Sequence, residues 1–265
     1  MKKYLLILFI VAVVGGFARD FKVFDVVGDS ISAGVNPDYT SNNGWVHMLF
    51  GYLGSYDTIQ DLWPGIVKYN SSVSGSKASD WAKENYFSMT ELVGHNPDLV
   101  VVFIGGNDFL IYCADGKVTD TEKNEYKKNL RTIIDKLKAI PAKPFIIVVG
   151  YYDLFDGFSE NLPSFYSNYR IISQLTIEGN QIIGDVAREK GCEFVGAVYT
   201  DFMHHCYGED LGDTNHLTPD YMDMPLLINF DIHPVTAGHE AIYRIVYEKL
   251  EELKKPALPS GWMLY

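Results

Sequence analysis

Five short apolar runs punctuate the sequence, at residues 21–27, 66–72, 99–104, 145–150 and 193–198. Between them the apolar positions recur at helical steps. The clearest case is 121–139, where Tyr126, Leu130, Ile133, Ile134 and Leu137 share one face. Thr121, Glu122 and Glu125 make an acidic first turn, and Pro141 follows the last one. A second helix is predicted over 165–190, ending at Gly191. A third follows Pro234, with Ile242, Ile245, Val246, Leu250 and Leu253 on one stripe. Strands alternating with helices predict βαβ units and a mostly parallel sheet. Continuous rather than alternating hydrophobicity in the runs predicts strands buried on both faces. The stretch 199–230 has little apolar periodicity and is predicted to be a long loop, a feature more often functional than idle.

Composition narrows the class. The chain has 265 residues, 47% hydrophobic and 14% aromatic, which suits a single α/β domain and excludes disorder for the bulk of the chain. The formal charge of −12 disfavours a phosphate backbone as partner, so no nucleic acid is expected. Lys2 and Lys3 precede the apolar run 4–14, and small residues lead to Ala18. This is the layout of a signal peptide over 1–18, cleaved after Ala18, with a secreted or periplasmic mature domain over 19–265. The predicted first strand begins so soon after the cut that an uncleaved anchor would have almost no linker. Export permits disulfides. Of the three cysteines, Cys192 heads a predicted strand, while Cys113 and Cys206 fall in predicted loops and could bridge.

In open α/β sheets ligands bind beyond the carboxyl ends of the strands, so chemistry is sought there. The first run is followed by Gly28-Asp29-Ser30-Ile31-Ser32, either an ordinary turn or a serine nucleophile opening a helix. Ser72-Val73-Ser74-Gly75 follows the second, where Gly75 can take a positive φ and expose its N–H. Gly105-Gly106-Asn107-Asp108 follows the third and supplies a neutral amide donor, if it is not merely a cap. Asp231-Ile232-His233-Pro234 precedes the last helix and places a carboxylate near a histidine. A base acting through Nε2 needs such an acceptor on Nδ1. Together these segments supply a nucleophile, oxyanion donors and a base.

With these four residue types in this order, the sequence resembles the GDSL, or SGNH, hydrolases. Gly28-Asp29-Ser30-Ile31 matches the Gly-Asp-Ser-Leu block, and Gly75, Asn107 and His233 match the other three blocks. The resemblance spans residues 21 to about 254. It implies a three-layer α/β/α sandwich with a central, mostly parallel sheet of about five strands, of flavodoxin-like type. It also implies cofactor-free hydrolysis of a small-molecule, glycan or lipid ester through an acyl-enzyme. Ser30 would then be nucleophile and His233 base, with the N–H groups of Ser30 and Gly75 and the amide of Asn107 as oxyanion hole. The family's Asp-x-x-His spacing is not kept, since Phe230 stands three before His233. Asp231 is therefore expected as the orienting acid, with Asp223 next.

Rival patterns are thinner. Ser74 and Lys77 form a Ser-x-x-Lys, but its Ser-Asp-Asn and Lys-Thr-Gly companions are missing. His204, His205, Cys206, Glu209, Asp210, Asp213 and His216 crowd one loop, yet match no closed zinc spacing, and no metal is expected. A non-catalytic carbohydrate-binding protein on the same fold is the alternative in kind, with Trp45, Trp63, Trp81 and 18 tyrosines as stacking surfaces.

Overall fold

The computed structural model describes residues 19–35, 44–114, 116–162, 164–206 and 232–255. The predicted signal peptide over 1–18 lies outside them, as do 207–230 of the long polar stretch. Five parallel strands form the sheet in the order β2-β1-β3-β4-β5. They are β1 (Val23–Gly28), β2 (Val67–Lys68), β3 (Leu99–Phe103), β4 (Phe145–Val149) and β5 (Glu193–Val195). Every residue of β3 is fully buried, which is what an all-valine centre between leucine and phenylalanine requires. Helices therefore cover both faces, giving the expected three-layer α/β/α sandwich.

After β1 come α1 (Ser30–Ala33), α2 (Trp45–Leu49) and α3 (Ile59–Leu62). Beyond β2 lie α4 (Ala78–Ala82) and α5 (Phe87–His95), and beyond β3 lie α6 (Gly106–Tyr112) and α7 (Asp120–Ala139). The chain closes with α8 (Ile172–Glu189), α9 (Ala197–Phe202) and α10 (Thr236–Lys254). One packed set joins α4, α7 and α8; another joins α10 with α2, α3 and α9.

Local chemistry explains the boundaries. Thr119 caps α7: its hydroxyl accepts the Glu122 N–H at 3.2 Å, and the Glu122 carboxylate accepts the Thr119 N–H at 2.7 Å. The helix stops at Ala139 because Ile140 precedes Pro141 and is pushed out of the helical region. The face named from sequence, Tyr126, Leu130, Ile133, Ile134 and Leu137, is buried.

Three boundaries differ from expectation. The second helix does not run unbroken from 165: a 3-10 turn (Ser164–Tyr169) precedes α8. Ser159 makes the break, its hydroxyl donating to the Arg170 carbonyl at 2.7 Å and accepting the Ser173 N–H at 3.1 Å. The fifth strand stops at Val195, and α9 starts at Ala197, inside the run expected to be strand, and carries on to Phe202, into the stretch 199–230 expected to be loop. At Gly196 a Cβ would stand 2.9 Å from the Phe194 ring, so the chain turns there with little side-chain room. The second run shrinks to two paired residues, because the chain leaves the sheet edge at Tyr69. Cys113 caps the end of α6 and Cys206 follows α9, both buried.

Trp45, Trp63 and Trp81 are all fully buried, which removes them as sugar-stacking surfaces. Among the described residues no helix is long and apolar enough to cross a membrane.

His239 on α10 is fully buried, with Nε2 against the Val35 carbonyl at 3.1 Å and Nδ1 without a partner. Burial pushes this imidazole down from 6.5 to about 4. The unfolded chain takes up the proton first, so stability falls as pH drops through that window. The expected loss is about 3 kcal/mol. Two buried carboxyls, Asp29 and Asp108, are raised to about 6 and about 7 and act in the opposite direction. Urea unfolding of wild type and His239→Gln across this range separates the contributions. The wild type should lose more stability on acidification, whereas parallel curves would mean that His239 titrates normally.

Candidate active site

The sheet order places the switch point between β1 and β3, since the chain leaves β1 for one side and β3 for the other. Gly28 and Phe103, the last residues of these strands, are paired in register. Loops leaving them therefore diverge from one level and open a cleft.

Gly28 must lack a side chain, because a Cβ would lie 2.5 Å from Ser32 and 2.8 Å from the Ser72 hydroxyl. Asp29 then caps α1, accepting the Ile31 N–H at 3.0 Å. That cap sets Ser30 as the first residue of a short helical turn, buried at the cleft floor. His233 arrives from the other end of the chain, just ahead of α10. Its Nε2 lies 2.9 Å from Ser30 Oγ. The Tyr152 hydroxyl anchors this approach by donating to the Ile232 carbonyl at 2.9 Å.

The second loop is tied to the end of β1. The Val73 N–H and the Ser76 hydroxyl both donate to the Gly28 carbonyl, at 3.0 and 3.1 Å. Trp81 Nε1 donates to the same Ser76 hydroxyl at 3.0 Å. Gly75 takes φ +75°, a conformation a side chain would strain. Asn107, second residue of α6, donates one amide hydrogen to the Ser76 carbonyl at 3.0 Å. An amide nitrogen carries two hydrogens, so one remains for a ligand. Asp108 accepts the Ala78 N–H at 2.9 Å and so joins α6 to α4.

Beside Ser30 and Asn107 opens a small, half-open pocket. Phe109, Leu110, Tyr152, Leu154, Ile172 and Ile232 supply most of its wall. It is apolar except at the Ser30 end, so it suits the hydrocarbon part of a ligand whose reacting group sits at the serine.

Of the residues singled out from sequence, Ser30 and His233 are in hydrogen-bond contact, and Asn107 and the Gly75 loop are joined through Ser76. Asp231 and Asp223 lie outside the described residues, as do Glu209, Asp210, Asp213 and His216 of the polar loop. Among the described residues no group of three His, Cys, Asp or Glu side chains could hold a metal. Ser74 lies in the turn, and Lys77 opens α4 with its N–H on Asp80 at 3.0 Å. Sequence reasoning passed over Tyr151 and Tyr152, and gave Ser76 and Asp108 no part in holding the site together. Tyr151 and Tyr152 follow closely on β4, so the strand-end rule that found the others also reaches them.

A family model for the GDSL-like lipase/acylhydrolase family matches residues 26–241. The chain belongs to this family. Membership makes it a carboxylic ester hydrolase and agrees with the sheet order above. A comparison with curated proteins finds no match. Solved structures share the fold at low identity. The acetylxylan esterase Axe2 from Geobacillus stearothermophilus is 19% identical with a TM-score of 0.56, over 88% of this chain and 95% of that one. LAE5, an alpha/beta hydrolase enzyme from the metagenome of Lake Arreo, Spain, is 20% identical with a TM-score of 0.59, over 89% and 98%. The acetyl xylan esterase AlAXEase is 17% identical with a TM-score of 0.58, over 86% and 98%.

Proposed function

We propose that this family member is an exported serine esterase working through an acyl-enzyme. The observation that carries this reading is the 2.9 Å contact between His233 Nε2 and Ser30 Oγ at the sheet's switch point. In this reading Ser30 Oγ attacks the ester carbonyl carbon while His233 Nε2 takes the hydroxyl proton. The carbonyl oxygen becomes an oxyanion, met by the spare Asn107 amide hydrogen and the N–H groups of Ser30 and Gly75. As the carbonyl re-forms, the bond to the alcohol oxygen breaks and His233 returns the proton to it. Water, deprotonated by His233, then attacks the acyl-serine; the acyl–Oγ bond breaks, His233 returns the proton to Ser30 Oγ, and the acid leaves. Asp231, or failing it Asp223, would hold the imidazole tautomer.

The apolar pocket suits an acyl chain, with the alcohol left toward solvent. Acetylated glycans enter as a substrate class because Axe2 and AlAXEase are described as acetylxylan esterases. Export rests on Lys2, Lys3, the run 4–14 and the small residues before Ala18.

The test is a fluorophosphonate probe with peptide mapping, alongside turnover of soluble acyl esters. Labelling at Ser30 with loss of turnover is expected. Labelling at Ser74 or Ser76 instead would sink the reading and revive the Ser-x-x-Lys alternative.

A further inference from the structure

Tyr151 stands two residues beyond the end of β4, between the two halves of the site. Its ring packs on Phe103 at 4.6 Å and on Phe109 at 5.9 Å. It also fills the space a side chain at Gly106 would need, where a Cβ would lie 2.8 Å away. The main chain is clamped by Asn180 of α8, which accepts the Tyr151 N–H at 2.8 Å and donates to its carbonyl at 2.7 Å. With ring and backbone fixed, the hydroxyl donates to Asp29 Oδ2 at 2.6 Å. The other oxygen of Asp29 accepts the Ile31 N–H. A continuous line of contacts thus runs from α8 through Tyr151 and Asp29 to the turn bearing Ser30.

We propose that Tyr151 is a positioning residue of the active site: its hydroxyl keeps Asp29 ionised and seated as the cap beneath Ser30. This rests on the serine-esterase reading. Asp29 is fully buried, and burial alone would favour its neutral form. Tyr151 is the strongest influence in the other direction, followed by the Ile31 N–H and His233. The groups facing Asp29 are Tyr151 after β4, Asp108 on α6, Tyr126 on α7 and His233 ahead of α10. Asp29 in turn helps to raise Asp108, as a like charge does, behind the larger effect of burial. Burial holds the Tyr151 phenol well above its ordinary range, so it stays a donor. An ionised Asp29 in turn favours the imidazolium that His233 becomes in the transition state. The effect should therefore fall on kcat more than on KM.

The experiment is the pH dependence of kcat on a soluble acyl ester for wild type, Tyr151→Phe, Asp29→Asn and the double variant. Tyr151→Phe keeps the ring and removes only the donor. Its acidic limb should move up by about one to two pH units, the size of one hydrogen bond to a charged group. Activity should recover at higher pH with KM held. In the Asp29→Asn background the second change should move the limb no further. A carbon NMR titration of the Asp29 carboxyl, identified by its loss in Asp29→Asn, reads the same coupling without substrate. An inert protein whose Asp29 titration still moves would sink the esterase reading while leaving the coupling intact. An unchanged limb and unchanged titration in Tyr151→Phe overturn the proposal, as does a limb shift that persists in Asp29→Asn. Should Tyr151→Phe not fold, Asp29→Asn decides: a wild-type kcat at every pH overturns the proposal, and a lowered kcat with KM held supports it.

Discussion

His233→Ala should leave a folded protein that turns over no ester at a measurable rate. The loss expected for removing the histidine of a serine–histidine unit is on the order of 10⁶-fold in kcat. The reason lies in the geometry at Ser30. A serine hydroxyl is a weak nucleophile at neutral pH, and His233 Nε2 at 2.9 Å is the acceptor the described residues offer it. The fold should survive, because α10 is held by Ile242, Val246 and Leu250 rather than by the histidine before it. Circular dichroism checks that, and kcat with a soluble ester reads the rest. Activity within tenfold of wild type would show that another group takes the proton.

Asn107→Ala should be the second largest loss, about 10² to 10³ in kcat with KM little changed. Its amide has two roles that the variant separates. One hydrogen already bonds the Ser76 carbonyl at 3.0 Å, and losing this neutral bond costs about 1 kcal/mol of stability. In the proposed mechanism the other hydrogen meets the oxyanion, which exists only during reaction, so its loss should appear in kcat. Measuring the melting curve and the kinetic constants together decides between the roles. A lowered melting point with unchanged kcat would reduce Asn107 to a loop tie.

Much of this was legible in the chain, for identifiable reasons. β3 could be read because burial on both faces leaves an unbroken apolar run. α7 could be read because Tyr126 to Leu137 repeat on one side and Pro141 follows the last turn, although the cap is Thr119, two residues before the Thr121 at which the helix was drawn to begin. β2 and β5 were drawn too long because edge strands can end while hydrophobicity continues. The start of α8 was hidden because Ser159, which caps it, belongs to an earlier turn. The same contrast divides the site. Ser30, Gly75, Asn107 and His233 each sit in a short, recognisable segment. Tyr151 does not, since its meaning depends on a carboxylate 122 residues away that only the folded sheet brings near.

His233 stands just ahead of α10, and α10 packs mainly on α2, α3 and α9, with a smaller contact at the β5 edge of the sheet. Ser30, the proposed nucleophile, opens the turn that follows β1, whereas His233, the proposed base, stands just ahead of the last helix. The two are therefore separable by a motion that leaves β1, β3 and β4 paired. In the proposed mechanism catalytic competence gauges the docking of the C-terminal helix, and a protein whose sheet still looks native by its spectrum would already be inactive.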